Sequence, residues 1–169
     1  MTGSFEWTFA YGSNMVLEDL RAWFVAKGHQ DARIERCVPA TLPGYGLVWN
    51  YSSHSRRGGA ANVERVADTS SLPGLALLVN SAGLAAIDRK EAHPNSYSRG
   101  SAPLTVQLID GIEVEAWVYV AVPAKCSLTT VPPTRAYLDI MIRAAERHQF
   151  PLEHVEMVRS TPTAEPSDG

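Results

Sequence analysis

The segment LPGLALLV, residues 72–79, carries an unbroken apolar run from Leu75 to Val79 with no polar side chain to turn toward water. An amphipathic helix or a half-exposed strand would interrupt such a run every second to fourth residue, so it reads as a central strand buried on both faces. With 169 residues and 45% hydrophobic side chains, the chain has enough material for one filled core. The organisation expected is a single domain over 1–159, followed by a mobile tail over 160–169, STPTAEPSDG, which has little to bury.

The other elements follow from period and punctuation. Phe5 to Tyr11 alternates as a strand, and Leu17, Leu20 and Phe24 recur at helical spacing behind Ser13 or Asn14 as cap, with Gly28 as a left-handed stop. RIERCVPATLPGYGLVWNYSS is extended but bent at its prolines and glycines, and SRRGG is a turn before AANVERV. Ser81 caps a helix through AGLAAIDRKEAH that Pro94 and Asn95 end, which puts Glu91 near its C-terminus. SAPLTVQLI and IEVEAWVYVAV form a hairpin about Asp110-Gly111. After Pro132-Pro133, Tyr137, Ile140, Met141, Ala144, Ala145 and His148 share the face of an amphipathic helix that Pro151 stops. Strands alternating with helices make the fold class α+β.

Several function classes are disfavoured. A net charge of −3 gives no polyanion-binding surface, so nucleic acid is not an expected partner. No apolar stretch approaches the roughly 20 residues that span a bilayer, no secretory leader opens the sequence, and the cytoplasm is the expected address. Cys37 and Cys126 read as reduced thiols. The five histidines form no helical metal-binding pair, so neither metal nor cofactor is expected.

Two places could carry chemistry. Tyr11-Gly12-Ser13-Asn14 turns a strand into a helix through a glycine. Its amides can point at a carboxylate or oxyanion, although a capped strand-to-helix turn accounts for the same residues. Glu91 lies beside apolar GLAAI, where desolvation would raise its pKa and suit it to moving protons. Asp88, Arg89 and Lys90 equally suggest a solvated helix face. Arg56 and Arg57 could clamp an anion, but a solvated flexible turn is the favoured reading.

Taken together, FAYGSNM, IDRKEAHPNSYSR and PPTRAYLDIMIRAAERHQFPLEHVEMV resemble, in the same order, the motifs of the gamma-glutamyl cyclotransferase-like family. The resemblance implies a mixed, strongly curved or barrel-like sheet flanked by helices. It makes Glu91 the acidic catalyst and Tyr11, Gly12, Ser13 and Asn14 the substrate loop, with Tyr119 and Tyr137 as pocket walls. Tyr97 and Arg99 match the Tyr-x-Arg that follows the acid. The sequence departs from the family pattern at Ala92 for glycine, Thr134 for serine, Phe150 for leucine and His154 for tyrosine.

The reaction implied is internal and needs no cofactor: the α-amine of a γ-glutamyl group attacks its own side-chain carbonyl, closing 5-oxoproline and expelling an amine. The expected partner is a small γ-glutamyl substrate, and a homodimer is left open. The alternatives are an amide hydrolase of the same fold and a member that binds ligand without turnover.

Overall fold

The computed structural model describes residues 3–164. In chain order the elements are β1 (Phe5–Ala10), α1 (Leu17–Ala26), β2 (Ile34–Pro43), β3 (Tyr45–Ser53), β4 (Gly58–Arg65), β5 (Ser71–Asn80), α2 (Ser81–Lys90), β6 (Tyr97–Ser98), β7 (Leu104–Leu108), β8 (Glu113–Val118), β9 (Val120–Ala121), α3 (Arg135–Arg147) and α4 (Leu152–Arg159). Short 3-10 turns cover Ser13–Met15 and Pro123–Lys125. The fold is α+β: five strands close into a barrel in the order β1-β5-β2-β7-β8, and β3-β4 and β6-β9 form separate two-stranded sheets.

The central strand is where the apolar run predicts it. β5 pairs antiparallel with β1 on one side and β2 on the other, and Leu75, Ala76, Leu77 and Val79 are all 1% exposed or less. A closed ring with an odd number of strands cannot be antiparallel throughout. The one parallel seam joins β1 to β8, with Phe9 opposite Val118. Both strands therefore point the same way, and the residues that follow them, Tyr11 and Tyr119, leave from one end of the barrel.

β5 runs the other way, so its last residue, Asn80, lies opposite Phe5 at the far end. There the Asn80 side chain accepts from the Gly83 and Arg33 amides and donates to the Asp31 carbonyl. α2 begins at once and runs ten residues, about 15 Å at 1.5 Å per residue. That return carries its C-terminus back toward the end where Tyr11 emerges. Ala92 ends it in the left-handed region (φ 51°), while the His93 amide reaches the Asp88 carbonyl and the Ala92 amide that of Arg89. Such a cap is built for glycine, and here alanine takes it. Gly28 after α1 (φ 78°) and Gln149 after α3 (φ 56°) close their helices in the same way.

Local expectations fail where side chains have better partners elsewhere. Neither Ser13 nor Asn14 caps α1, whose N-cap is Val16 without a side-chain bond, because Asn14 is drawn toward Glu91. Asn80 caps α2 in place of Ser81, whose hydroxyl pairs with Ser4. α2 stops at Lys90, before the expected His93. The last predicted strand breaks at Tyr119 into β8, which belongs to the barrel, and β9, which pairs with β6. Pro151 does not follow α3 directly. It starts an unforeseen helix, α4, which buries His154, Val155 and Val158. On α3 the buried face includes Leu138 and Ile142, which the periodicity argument omitted, whereas Ile140 and His148 are only half-buried. Residues 165–169 of the tail lie outside the described residues, and the Ala164 amide donates to the Pro133 carbonyl.

Candidate active site

Where β1 ends, the chain turns through Gly12 into the 3-10 turn, whose Met15 and Val16 amides return to the carbonyls of Gly12 and Ser13. The amides just before them are those that a helical start leaves without an internal partner. A methyl on Gly12 would stand 2.9 Å from the Tyr137 hydroxyl and 3.5 Å from the Ala61 methyl, so this corner has room only for glycine. Thr134 caps α3 by accepting from the Tyr137 amide, and this sets the tyrosine in the first turn facing the loop. Its hydroxyl accepts from the Ala61 amide at 3.3 Å.

Gly12→Ala should therefore displace the Tyr137 hydroxyl and move one wall of the site by a few tenths of an ångström or more. A misplacement approaching 1 Å costs on the order of a hundredfold in rate. We expect kcat/KM to fall tenfold to a hundredfold with little change in Tm, as read by steady-state kinetics beside thermal melting.

Tyr11, Gly12, Ser13, Asn14, Glu91, Tyr119 and Tyr137 all line one cavity of about 300 Å3. Glu91 is the C-cap of α2, and the Asn14 side-chain amide donates to its Oε1 at 2.7 Å. Burial pushes the Glu91 carboxyl above its ordinary range, while Lys90, the Asn14 hydrogen bond and Arg56 pull it part of the way back. The Asn14 Oδ1 is buried and has no hydrogen-bond partner among the described residues. A buried acceptor in that condition costs free energy.

The tyrosines brace one another. The Tyr11 hydroxyl donates to the Tyr119 carbonyl across the parallel seam, and Tyr97, on β6, donates to the Ala61 carbonyl at 2.8 Å. Burial raises the phenol pKa of Tyr11, Tyr97, Tyr119 and Tyr137, so all four stay protonated in the neutral range.

Three further features were beyond the motif argument. Asp88, read from sequence as part of a solvated face, accepts from the Tyr119 hydroxyl at 2.6 Å and from the Arg99 Nε at 2.8 Å. It thereby ties the last turn of α2 to the end of β8 and holds Glu91 over the cavity. Arg99 does not line the cavity. It packs over Trp117 while Tyr97, two residues earlier, forms part of the wall. Arg56 is not a solvated turn residue: its guanidinium lies 4.6 Å from the centre of the Tyr137 ring and lines the cavity with Lys90, Tyr51, Ser53 and Ser55. The doublet of arginines in SRRGG was the available signal, but spacing could not choose between Arg56 and the exposed Arg57.

Comparisons with known proteins bear on the family and the fold. The family described as "Gamma-glutamyl cyclotransferase, AIG2-like" matches residues 8–138. No curated protein matches the chain by sequence. Among solved structures, one described as a gamma-glutamyl cyclotransferase aligns with a TM-score of 0.79 at 20% identity, covering 98% of this chain and 93% of that one. An uncharacterised protein from Homo sapiens also has a TM-score of 0.79 at 20% identity, covering 98% and 92%. A yeast gamma-glutamyl cyclotransferase described as specific to glutathione aligns at 0.61 with 12% identity, covering 92% and 94%. At those identities the structures establish a shared fold, and the family match spans most of the sequence, including the loop, Glu91 and Tyr137. The chain belongs to the gamma-glutamyl cyclotransferase, AIG2-like family.

Proposed function

We propose that the protein is a gamma-glutamyl cyclotransferase that converts a γ-glutamyl amide to 5-oxoproline and a free amine, with Glu91 moving the protons. The observation that carries this reading is the Glu91 carboxylate at the cavity wall, oriented by the Asn14 side-chain amide at 2.7 Å. A substrate ammonium is the donor such a carboxylate would take, through the oxygen that Asn14 leaves free.

The chemistry balances within the substrate. Glu91 takes a proton from the α-ammonium, which cannot attack while charged, and the freed amine forms a bond to the γ-carbonyl carbon. As the resulting oxyanion collapses, the old carbon–nitrogen bond breaks and Glu91 returns a proton to the departing nitrogen. The ring nitrogen then gives a second hydrogen to Glu91, which passes it to the freed amine, so that one of the ammonium's three hydrogens stays on the lactam nitrogen and two leave on the amine as an ammonium. No water is consumed. A carboxyl group raised by burial is closer in pKa to the amine it serves, which favours both transfers.

The amides of the Gly12 corner supply donors for the substrate carboxylate or the oxyanion, a contribution of roughly 3 to 4 kcal/mol where such donors are fixed in advance. Tyr11, Tyr119 and Tyr137 hold the flexible glutamyl chain in a bent form, and positioning of this kind can supply about 7 to 11 kcal/mol in ring closures.

The deciding experiment incubates the protein with a panel of γ-glutamyl amino acids and amines and identifies the product by mass. 5-Oxoproline at enzyme-dependent rates is the expected result. Open-chain glutamate would establish the hydrolase alternative, and binding without product would establish a ligand-binding member.

A further inference from the structure

Glu91 occupies a position that a helix end alone does not fix. It follows Lys90, the last residue of α2, and beyond it only the return of the His93 amide to the Asp88 carbonyl and of the Ala92 amide to that of Arg89 continues the spiral. Helix ends fray. Water solvates an ionised carboxylate better than a cavity wall does, so a loosened last turn would carry Glu91 outward. Its place over the cavity therefore depends on whatever holds that turn.

Four side chains that do not line the cavity, Glu6, Asp88, Arg99 and Trp117, form a clamp behind it. Arg99 meets Asp88 through two hydrogen bonds, Nε to Oδ1 at 2.8 Å and Nη2 to Oδ2 at 3.3 Å, and so closes the loop of chain from 88 to 99 that contains Glu91. The forked contact fixes direction as well as distance. At 21% and 22% side-chain exposure this is the least exposed ion pair among the described residues, where solvent competes with it least.

The clamp is anchored to the barrel. The Arg99 guanidinium is seated on the Trp117 ring, 4.3 Å from its centre, and the indole is oriented by donating its Nε1 hydrogen to Glu6 Oε2 at 2.7 Å. Glu6 on β1 and Trp117 on β8 belong to the two strands of the parallel seam, with Trp117 opposite Thr8. The Tyr119 hydroxyl reaches the same Asp88 from the end of β8. Arg99 and Tyr119 thus hold Asp88 from two sides, and only Arg99 ties it to the chain that leaves α2.

We propose that Arg99, seated on Trp117, is a positioning residue: by gripping Asp88 it closes the 88–99 loop and keeps the Glu91 carboxylate aimed into the cavity. The proposal rests on the cyclotransferase reading for what Glu91 does there, but the placement of the carboxylate is measurable without turnover. The sign of the effect separates placement from charge. Loss of a nearby cation raises a carboxyl pKa, whereas release of Glu91 into water lowers it. The groups facing Glu91 are the same in every variant compared: Lys90 beside it, Arg56 from the β3–β4 turn, Asn14, and the phenols of Tyr11, Tyr97, Tyr119 and Tyr137.

The experiment compares Arg99→Gln and Arg99→Lys with Arg147→Gln, a control that breaks the exposed ion pair to Glu18. In protein labelled with carbon-13 at glutamate side-chain carboxyls, the Glu91 resonance is the one missing from Glu91→Gln. It should titrate above the ordinary carboxylate range in the wild type and in Arg147→Gln, fall toward that range in Arg99→Gln, and lie between in Arg99→Lys, which keeps the charge without the fork. A titration that stays or rises in Arg99→Gln overturns the clamp. On whichever γ-glutamyl amide of the panel the wild type converts fastest, Arg99→Gln should lower kcat roughly tenfold to a hundredfold, as a misplacement approaching 1 Å does, with KM little changed, and Arg99→Lys should regain part. The same substitution made in Glu91→Gln should cost nothing further, because Arg99 acts through that carboxylate. An equal loss in both backgrounds, a rise in KM alone or an unchanged kcat overturns the clamp and leaves the cyclotransferase reading intact. A wild type that releases no 5-oxoproline overturns that reading, and the titration then decides the clamp by itself. Where Arg99→Gln does not fold, Arg99→Lys carries the same comparisons.

Discussion

Glu91→Gln should lower kcat by about a thousandfold, within the range of a hundredfold to ten-thousandfold that positioned proton transfer supplies, without loosening the fold. The substitution keeps the volume at the end of α2, and Asn14 can turn its amide so that its oxygen accepts from the new side chain, preserving the contact now made at 2.7 Å. Glu91→Ala would be a weaker test, because it also empties part of the wall.

The same variant carries a stability signature whose sign follows from linkage. Burial raises the folded-state pKa of Glu91 above its unfolded value, so the folded protein binds that proton more tightly. As the pH climbs from the ordinary carboxylate range through the raised folded pKa, ionisation increasingly disfavours the fold, and above that pKa the full cost is present. Glutamine never incurs it. Thermal melts should therefore show Glu91→Gln at least as stable as the wild type at pH 7.5, with the advantage disappearing below about pH 4, where glutamate is protonated in both states. An inactive variant that melts well below the wild type at neutral pH would indicate a structural role for Glu91 and remove the case for a proton carrier. The acid limb of kcat/KM should likewise lie above the ordinary carboxylate range, because the free enzyme must have Glu91 ionised to accept a proton.

The second large effect is expected at Gly59, which precedes Ala60 and Ala61 in the cavity wall. This residue is the second of β4 and donates its amide to the Pro132 carbonyl, and a methyl there would overlap the carbonyl oxygen of Val131. Val131 is itself anchored to the Trp49 carbonyl on β3, so the segment cannot drift away freely. Backbone must move, and overpacking of this kind costs about 1 to 3 kcal/mol or more. For a chain of this size each kcal/mol is worth about 2 to 4 °C. Gly59→Ala should accordingly melt roughly 2 to 12 °C below the wild type, whereas Gly3→Ala, with nothing within 4 Å of the added methyl, serves as a neutral control. The Val131–Pro133 segment leads into Thr134 and Tyr137, so the same substitution should raise KM. A Gly59→Ala protein with unchanged Tm would mean that the β4 edge yields more easily than its hydrogen bonds indicate.

Much of this fold was legible because local chemistry and global position agree. The run Leu75 to Val79 has no polar side chain to present, so it could only be central. Asp110-Gly111 turns where a hairpin needs it, with Gly111 at φ 87°, and Gly28 closes α1. The Tyr-Gly-Ser-Asn corner and Glu91 were visible as candidates through residue type and order. Asp88 was misread because an acid amid Arg89 and Lys90 looks solvated in one dimension. Its partners, Tyr119 and Arg99, lie 31 and 11 residues away in sequence.

By itself the sequence determined which residues could do chemistry and which segment had to be innermost, since both depend on side-chain type and short-range pattern. Only the tertiary structure decided that the candidates meet. An odd ring of strands requires one parallel seam, which sends Tyr11 and Tyr119 out at the same end, and α2 then spans back along the antiparallel β5 to bring Glu91 onto Asn14. The inward fold of Arg56 over Tyr137 was decided in the same way, by packing between segments some eighty residues apart, a distance over which no local propensity acts.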